Sequence, residues 1–127
     1  MTDGNRENLT VWVDIPVDVL DRAMNFYETV VGVRVERKAR GDHEFGLVRM
    51  KNGNGACLVH KKELTSDTKG ILVYFNVDGR IRDAVSRVDK AGGNTIVDVH
   101  SIEPYGFRAI IVDSEGNRIA VHSWTDA

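Results

Sequence analysis

Two segments of this chain repeat one pattern of residues. Asp18 is followed by a helix-like pattern that stops at Gly32, and Asp78 leads in the same way to Gly92. The interval from aspartate to glycine has the same length in both copies. Similar segments at a fixed offset indicate that one supersecondary unit occurs twice. The chain is therefore expected to fold as two copies of one module.

The residues around each aspartate support the same interpretation. Each aspartate follows an alternating apolar pattern typical of a strand, formed by Val11, Val13 and Ile15 in the first copy and by Ile71, Val73, Phe75 and Val77 in the second. After it comes an apolar stripe at helical spacing, formed by Leu20, Ala23, Met24, Tyr27, Val30 and Val31 and then by Ile81, Ala84, Val85, Val88 and Ala91. The aspartates suit helix N-caps and the glycines suit helix ends.

Three strand-like segments follow each predicted helix. They lie at about 33–39, 43–51 and 55–62 in the first copy, and at about 94–99, 106–113 and 117–124 in the second. Turns rich in Gly, Asn, Asp and Pro separate them. The predicted fold is α+β, with two βαβββ modules in tandem.

The domain organisation follows from this element order. Residues 1–8 are polar and are predicted to form an N-terminal arm, and residues 9–127 a single domain. Within it, module one covers about 9–62, a linker covers 63–70, and module two covers about 70–124. A chain of 127 residues that is 42% hydrophobic can bury a core without disulfides.

Composition excludes several classes of partner. The formal net charge is −2 and no basic stripe is visible, so nucleic acid is not expected to bind. No apolar run approaches the roughly 18 residues of a membrane span, so no membrane partner is expected. Cys57 is the single cysteine, which rules out an intrachain disulfide and favours a cytoplasmic location.

Particular residues within this pattern resemble a known superfamily. They are Ile15-Pro16-Val17-Asp18, Leu20-Asp21-Arg22-Ala23, Phe26-Tyr27 and Gly32 in the first copy, and Tyr74-Phe75-Asn76-Val77-Asp78, Ala91-Gly92-Gly93 and Asp113-Ser114-Glu115-Gly116-Asn117-Arg118-Ile119 in the second. Over about residues 10–123 the chain resembles the glyoxalase / bleomycin-resistance / extradiol-dioxygenase superfamily, also called the vicinal oxygen chelate superfamily. The resemblance implies two curved mixed sheets that form a cup, with helices outside and a cavity between the inner faces. It also implies a homodimer that binds a small molecule, either through a divalent metal that acts as a Lewis acid or without metal.

Carried onto this chain, the resemblance places the metal ligands of the superfamily at Trp12, Leu58, Leu72 and Ala120. None of these side chains offers the imidazole nitrogen or carboxylate oxygen that a divalent cation needs. No cofactor is therefore expected at the usual positions.

A polar layer is predicted two positions further along the same strands. It consists of Asp14, His60, Tyr74 and His122, where Tyr74 repeats the position of Asp14 and His122 repeats that of His60. In the topology of the superfamily the first and last strands of a module are neighbours, so Asp14 should lie near His60, and Tyr74 near His122. The polar side chains of this layer could hydrogen-bond one another, bind a ligand, or hold a displaced divalent metal through Asp14, His60 and His122.

The favoured function is binding of a small, partly apolar molecule in the cup. Trp12, Leu58 and Leu72 would form an apolar floor, Tyr74 and His122 would hydrogen-bond the ligand, and Asp14, His60 and His122 are the candidate catalytic groups. The alternative is a metal- or acid/base-dependent lyase, isomerase or dioxygenase. A third hypothesis is an interaction module whose cup is filled by its own side chains.

The sequence also supports two weaker predictions. Cys57 is predicted to lie on the helix-covered side as an inert thiol. His100, Tyr105 and Arg108 are predicted to form either a plain polar loop or a flap over the cup.

Overall fold

The structure is a computed structural model that describes residues 12–68 and 71–127. The predicted arm at 1–8, together with Thr10 and Val11 of the first predicted strand, lies outside these residues. The first module contains β1 (Val13–Val17), α1 (Leu20–Phe26), a π-helical turn (Tyr27–Val31), β2 (Val35–Arg40), β3 (His43–Val48) and β4 (Ala56–His60), followed by a short 3₁₀ helix (Lys62–Leu64). The second module contains β5 (Tyr74–Asn76), α2 (Ile81–Ser86), β6 (Asn94–Ser101), β7 (Phe107–Val112) and β8 (Arg118–Ser123).

Each module forms one four-stranded mixed sheet with the same topology. The strand orders are β1-β4-β3-β2 and β5-β8-β7-β6. The first and last strands of each module pair in parallel, and the other pairs are antiparallel. Both sheets are open, and the predicted α+β architecture of two βαβββ modules is confirmed.

Both helices pack into one hydrophobic core that the two sheets share. Tyr27, at the end of the first helix, is fully buried, and its ring meets Phe75 of β5 edge-on at 5.6 Å. Phe26 packs close to Gly93, at the start of β6. The helix-covered faces of both sheets therefore meet in one core, and the opposite face of each sheet, called the open face below, points away from it.

The helix ends match the prediction at Gly32 but not at the aspartates. Gly32 adopts left-handed backbone, with φ of 79°, where the π-helical turn stops. Gly92, with φ of 95°, ends the turns that follow α2, and α2 itself stops at Ser86. The N-cap residue of α1 is Val19 rather than Asp18, and its side chain forms no capping hydrogen bond. Glu115, from the turn between β7 and β8, accepts the two exposed backbone N–H groups instead.

The register of β4 against β1 differs from the prediction by three positions. In the parallel pairing with β1, Asp14 lies opposite Cys57 and not beside His60. In the second module, Tyr74 lies opposite Ala120. The structural counterpart of Ala120 is thus Cys57 and not Leu58, which was predicted. Because side chains alternate between faces, this slip turns the whole strand over.

Candidate functional site

The open face of the first sheet is apolar at its centre, with Asp14 of β1 and Glu36 and Lys38 of β2 on its edge strands. It carries five half-buried side chains, namely Pro16, Phe45, Leu47, Cys57 and Val59, which the strand pairing places on one side. Trp12 lies beside the start of β1 with 46% of its surface exposed, and its ring packs close to Gly55. This face resembles one wall of a pocket for an apolar group.

The register corrects three expectations for this sheet. Leu58 is fully buried in the core opposite Ile15, so it cannot form the floor of the cup. His60 pairs with Val17 at the exposed end of β4 and faces the helix side. Asp14 and His60 therefore point to opposite faces, and the predicted Asp14–His60 pair does not form.

Cys57 lies on the open face and not on the helix side, contrary to the prediction. Burial raises the pKa of its thiol, and a hydrogen bond with Trp12 opposes this effect in part. A thiol with a raised pKa is protonated at neutral pH and is a weak nucleophile. The predicted side of the sheet for Cys57 is therefore wrong, and the inert thiol stays a prediction.

The open face of the second sheet carries a row of polar side chains across all four strands. Asn76, His122, Arg108 and His100 lie opposite one another on β5, β8, β7 and β6. Tyr74 lies one layer along, beside Ala120, and is 46% exposed. The register confirms that Tyr74 and His122 share one face, but the predicted layer is wrong by two positions, because Asn76 and not Tyr74 lies opposite His122.

Arg108 connects this row through hydrogen bonds. Its Nη1 donates to the hydroxyl of Tyr74 at 2.8 Å, and its Nε and Nη2 lie 3.3 and 3.1 Å from Nε2 of His100. The Nδ1 atom of His100 lies 2.8 Å from the carbonyl of Asp98, which can only accept, so Nδ1 carries the proton. Nε2 of His100 is then the acceptor for Arg108. The sequence grouped His100 and Arg108 in a loop or flap, whereas His100 lies in β6 and Arg108 lies in β7, within the strand predicted at 106–113.

His122 is fixed by a turn at the end of the sheet. Its Nε2 donates to the carbonyl of Tyr105 at 2.6 Å. A side chain at Gly106 would clash with the carbonyl of Ser123, 2.5 Å from the position of a Cβ, and its φ of 91° also favours glycine. The turn thus engages Nε2 of His122, while its Nδ1 has no partner among the described residues.

A shallow depression lies beside His122. Its volume is about 420 Å³, and it is lined by Tyr74, Phe75, Asn76, Asp78, His122 and Trp124. The Trp124 ring meets the His122 ring edge-on at 5.0 Å. The carboxylate of Asp78 accepts the backbone N–H of Trp124 at 2.7 Å and the Ser123 hydroxyl at 3.2 Å. The depression thus combines aromatic surface with hydrogen-bonding groups.

The residues at the positions of the superfamily metal do not fit a divalent cation. The positions that the resemblance assigned to metal ligands, Trp12, Leu58, Leu72 and Ala120, carry no ligand atom, and the structural counterpart of Ala120 in the first module is Cys57. Within residues 12–68 and 71–127, no three His, Cys, Asp or Glu side chains converge as a metal site requires. The displaced set of Asp14, His60 and His122 is likewise not brought together in one chain, because Asp14 and His60 face opposite sides of the first sheet and His122 lies in the second.

The two repeated sheets, each with a helix on one face, define the class of glyoxalase-like proteins. The model of the Glyoxalase/Bleomycin resistance protein/Dioxygenase superfamily matches residues 10–121, and the chain belongs to this superfamily. No curated protein matches the sequence.

Several solved structures share the fold at low sequence identity. A glyoxylase/bleomycin resistance protein/dioxygenase domain from Frankia sp. is 18% identical with a TM-score of 0.71, covering 93% of this chain and 98% of the other. A fosfomycin resistance protein from Listeria monocytogenes is 14% identical with a TM-score of 0.66, covering 93% of both chains. A mutant of glyoxalase I from Zea mays is 19% identical with a TM-score of 0.70, covering 89% of this chain and 45% of the other.

The described helices are also informative about membranes. None of those in residues 12–68 and 71–127 combines the length and the apolar character needed to cross a bilayer.

Proposed function

We propose that this protein binds a small, partly apolar molecule on its open sheet faces, without the metal site of the superfamily. The observation that carries the proposal is the row of hydrogen-bonding side chains on the second open face, next to the aromatic depression of about 420 Å³. Small-molecule sites typically combine apolar walls with a few converging polar groups.

The roles divide between the two sheets. Tyr74 and His122 would hydrogen-bond the polar part of the ligand, and Trp124 would contact its ring. Trp12 and Leu72 would contribute apolar surface, while Leu58 has no role because it is buried in the core. The activities in the names of the structural relatives do not select a particular ligand, since those chains share less than a fifth of their residues with this one.

The proposed functional unit is a homodimer. Within one chain, the helices and the shared core lie behind both open faces, so neither face is covered by the other. Both faces expose large apolar side chains, including Trp12 at 46% and Val97 at 40%. A second copy that sets its second sheet against the first sheet of its partner would cover this surface and enclose a cup. Light scattering tests the proposed homodimer, which requires a molecular mass in solution twice that of one chain.

Thermal unfolding in the presence of indole, benzamide or benzoate tests the binding proposal. A compound that binds only the folded state stabilises it by about 2.7 kcal/mol at one hundred times its dissociation constant. We expect at least one of the three to raise Tm, and His122→Ala to abolish the rise. His43→Ala is the matched control, because His43 is exposed at the start of β3. The proposal is wrong if none of the three compounds raises Tm.

The same titration with EDTA tests whether binding is independent of metal. We expect the rise in Tm to be unchanged by the chelator. Loss of the rise in EDTA, with recovery on addition of Zn²⁺, would contradict the metal-independent form of the proposal.

A further inference from the structure

We infer that the ligand of the second open face carries an oxyanion, a carboxylate or a phosphonate, and that Arg108 with Tyr74 binds it. This inference rests on the proposed function and specifies the chemical class of its ligand.

The first line of support is the charge of Arg108. Arg108 is half-buried in the middle of the sheet, and the hydrogen-bond partners of its guanidinium among the described residues are the neutral side chains of Tyr74 and His100. No carboxylate in the described part of the chain lies within ion-pair distance of it, whereas Arg22 and Arg87 both form ion pairs. A half-buried cation without a counter-charge favours binding of an anion.

The second line of support is the set of donors left free. The guanidinium has five N–H groups, and its three contacts use one on each nitrogen, so two remain. His100 cannot supply a charge, because its Nδ1 proton is engaged by the carbonyl of Asp98 and its Nε2 accepts from Arg108. Arg108 is therefore held in place by neutral groups while keeping donors for a ligand.

The third line of support is the direction of the Tyr74 hydroxyl. Its oxygen accepts a hydrogen bond from Arg108, so its own proton is available to another acceptor. Tyr74 also lines the depression beside His122 and Trp124. Arg108 does not itself line the depression, but it is bonded to Tyr74 and lies opposite His122, which both do. An anion that accepts from Tyr74 and Arg108 would therefore lie at the edge of the depression, with an attached ring on the aromatic surface. Asp78, in the same depression, is engaged by Trp124 and Ser123.

Isothermal titration with benzoate, phenylphosphonate and the neutral isostere benzamide tests the inference. We expect one of the two anions to bind about tenfold more tightly than benzamide, as the loss of a charge-assisted hydrogen bond predicts. Arg108→Ala should weaken binding of that anion by about tenfold and leave benzamide nearly unaffected. The order of the two anions tells whether the site prefers a planar or a tetrahedral group.

Arg82→Ala is the matched control, because Arg82 lies on the exposed side of α2 in an ion pair with Asp126. It removes the same charge away from the site and should leave anion affinity unchanged. A second measurement avoids dependence on the folding of the variant: the Nε–Hε resonance of Arg108 in the unaltered protein should shift with the anion and not with benzamide.

Equal affinity for anions and benzamide, or full anion affinity in Arg108→Ala, would overturn the inference while leaving the proposed function intact. Failure of all three compounds to bind would overturn the inference, and it would overturn the proposed function as well only if indole also fails to raise Tm.

Discussion

Tyr27 is a single side chain that ties the two modules together. Its hydroxyl donates to the carboxylate of Asp113 at 2.6 Å, from the first module to the second. Burial raises the pKa of Tyr27 well above its ordinary range, and the charge of Asp113 adds to this effect. Asp113 also accepts the side-chain amide and backbone N–H of Asn117 and the backbone N–H of Glu115. The phenol is therefore a fixed donor in a buried network.

Tyr27→Phe should destabilise the protein by about 1.5–3 kcal/mol, the range for a hydrogen bond to a charged group. The ring packing against Phe26 and Phe75 remains, so the loss reports on the hydroxyl. Urea unfolding measures the difference. Tyr105→Phe is the control, because Tyr105 is 65% exposed, and it should change stability by less than about 0.5 kcal/mol. Equal stability of the two variants would contradict the proposed role of the hydroxyl.

At the level of helices and strands, the turn between β7 and β8 caps the helix of the other module. Glu115 accepts the backbone N–H groups of Asp18 and Val19 at 2.9 and 2.6 Å and binds Arg22 through both carboxylate oxygens. Burial alone would raise the pKa of Glu115, but Arg22 and the N–H groups outweigh it and lower the pKa below its ordinary value. A carboxylate at a helix N-terminus also interacts favourably with the helix dipole.

Glu115→Gln should therefore cost stability that depends on pH. Because the pKa is lower in the folded state, the carboxylate stabilises the fold above the ordinary pKa near 4.5, and this stability is lost as pH falls through the lowered value. We expect a loss of about 1.5–3 kcal/mol at neutral pH that shrinks in acid, measured by urea unfolding at several pH values.

Glu63→Gln is the control for this series, since Glu63 is exposed in the 3₁₀ helix and forms no side-chain hydrogen bond with the described residues. Its effect on stability should be small at every pH. If the cost of Glu115→Gln did not change between neutral and acid pH, the cap would not act through its charge.

For the molecule as a whole, the shared core decides which surfaces remain available. The helices of both modules and the helix-covered faces of both sheets form one hydrophobic cluster that extends from Ile15 to Val121. The apolar face of the first sheet and the polar row of the second are then left on the outside of the chain. Exposed apolar sheet faces of this kind mark interaction surfaces.

Val59→Asp should disrupt the proposed homodimer. Val59 is half-buried at the centre of the first open face, next to Phe45, and lies outside the core. A carboxylate there would be buried without a partner when a second sheet covers it. Light scattering should give the unaltered protein twice its chain mass of 14.2 kDa and the variant a single chain mass.

Leu64→Asp is the control for the dimer experiment, because Leu64 is 62% exposed in the 3₁₀ helix. It should leave the mass unchanged. A monomeric unaltered protein, or a folded Val59→Asp variant that stays dimeric, would contradict the proposal.

Local structure and the repeat could both be predicted from the order of the residues. The strand and helix periods of apolar side chains identified the strands and helices, and Gly32 stops the first helical segment where it was predicted to, whereas α2 ends at Ser86, before Gly92. These features depend on neighbouring residues, so they can be recognised without the fold. The shared face of Tyr74 and His122 was predicted for the same reason, as the alternation within β5 and β8 was assigned correctly.

The pairing of distant segments became known only from the folded chain. The shift of three positions in β4, an odd number, moved Leu58 into the core and brought Cys57 to the open face, because strand register depends on the turn and the partner strand rather than on the strand alone. The cap from Glu115 and the contacts of Arg108 with Tyr74 and His100 join residues on separate elements. No local pattern encodes such contacts, since they exist only when the chain has brought those elements together.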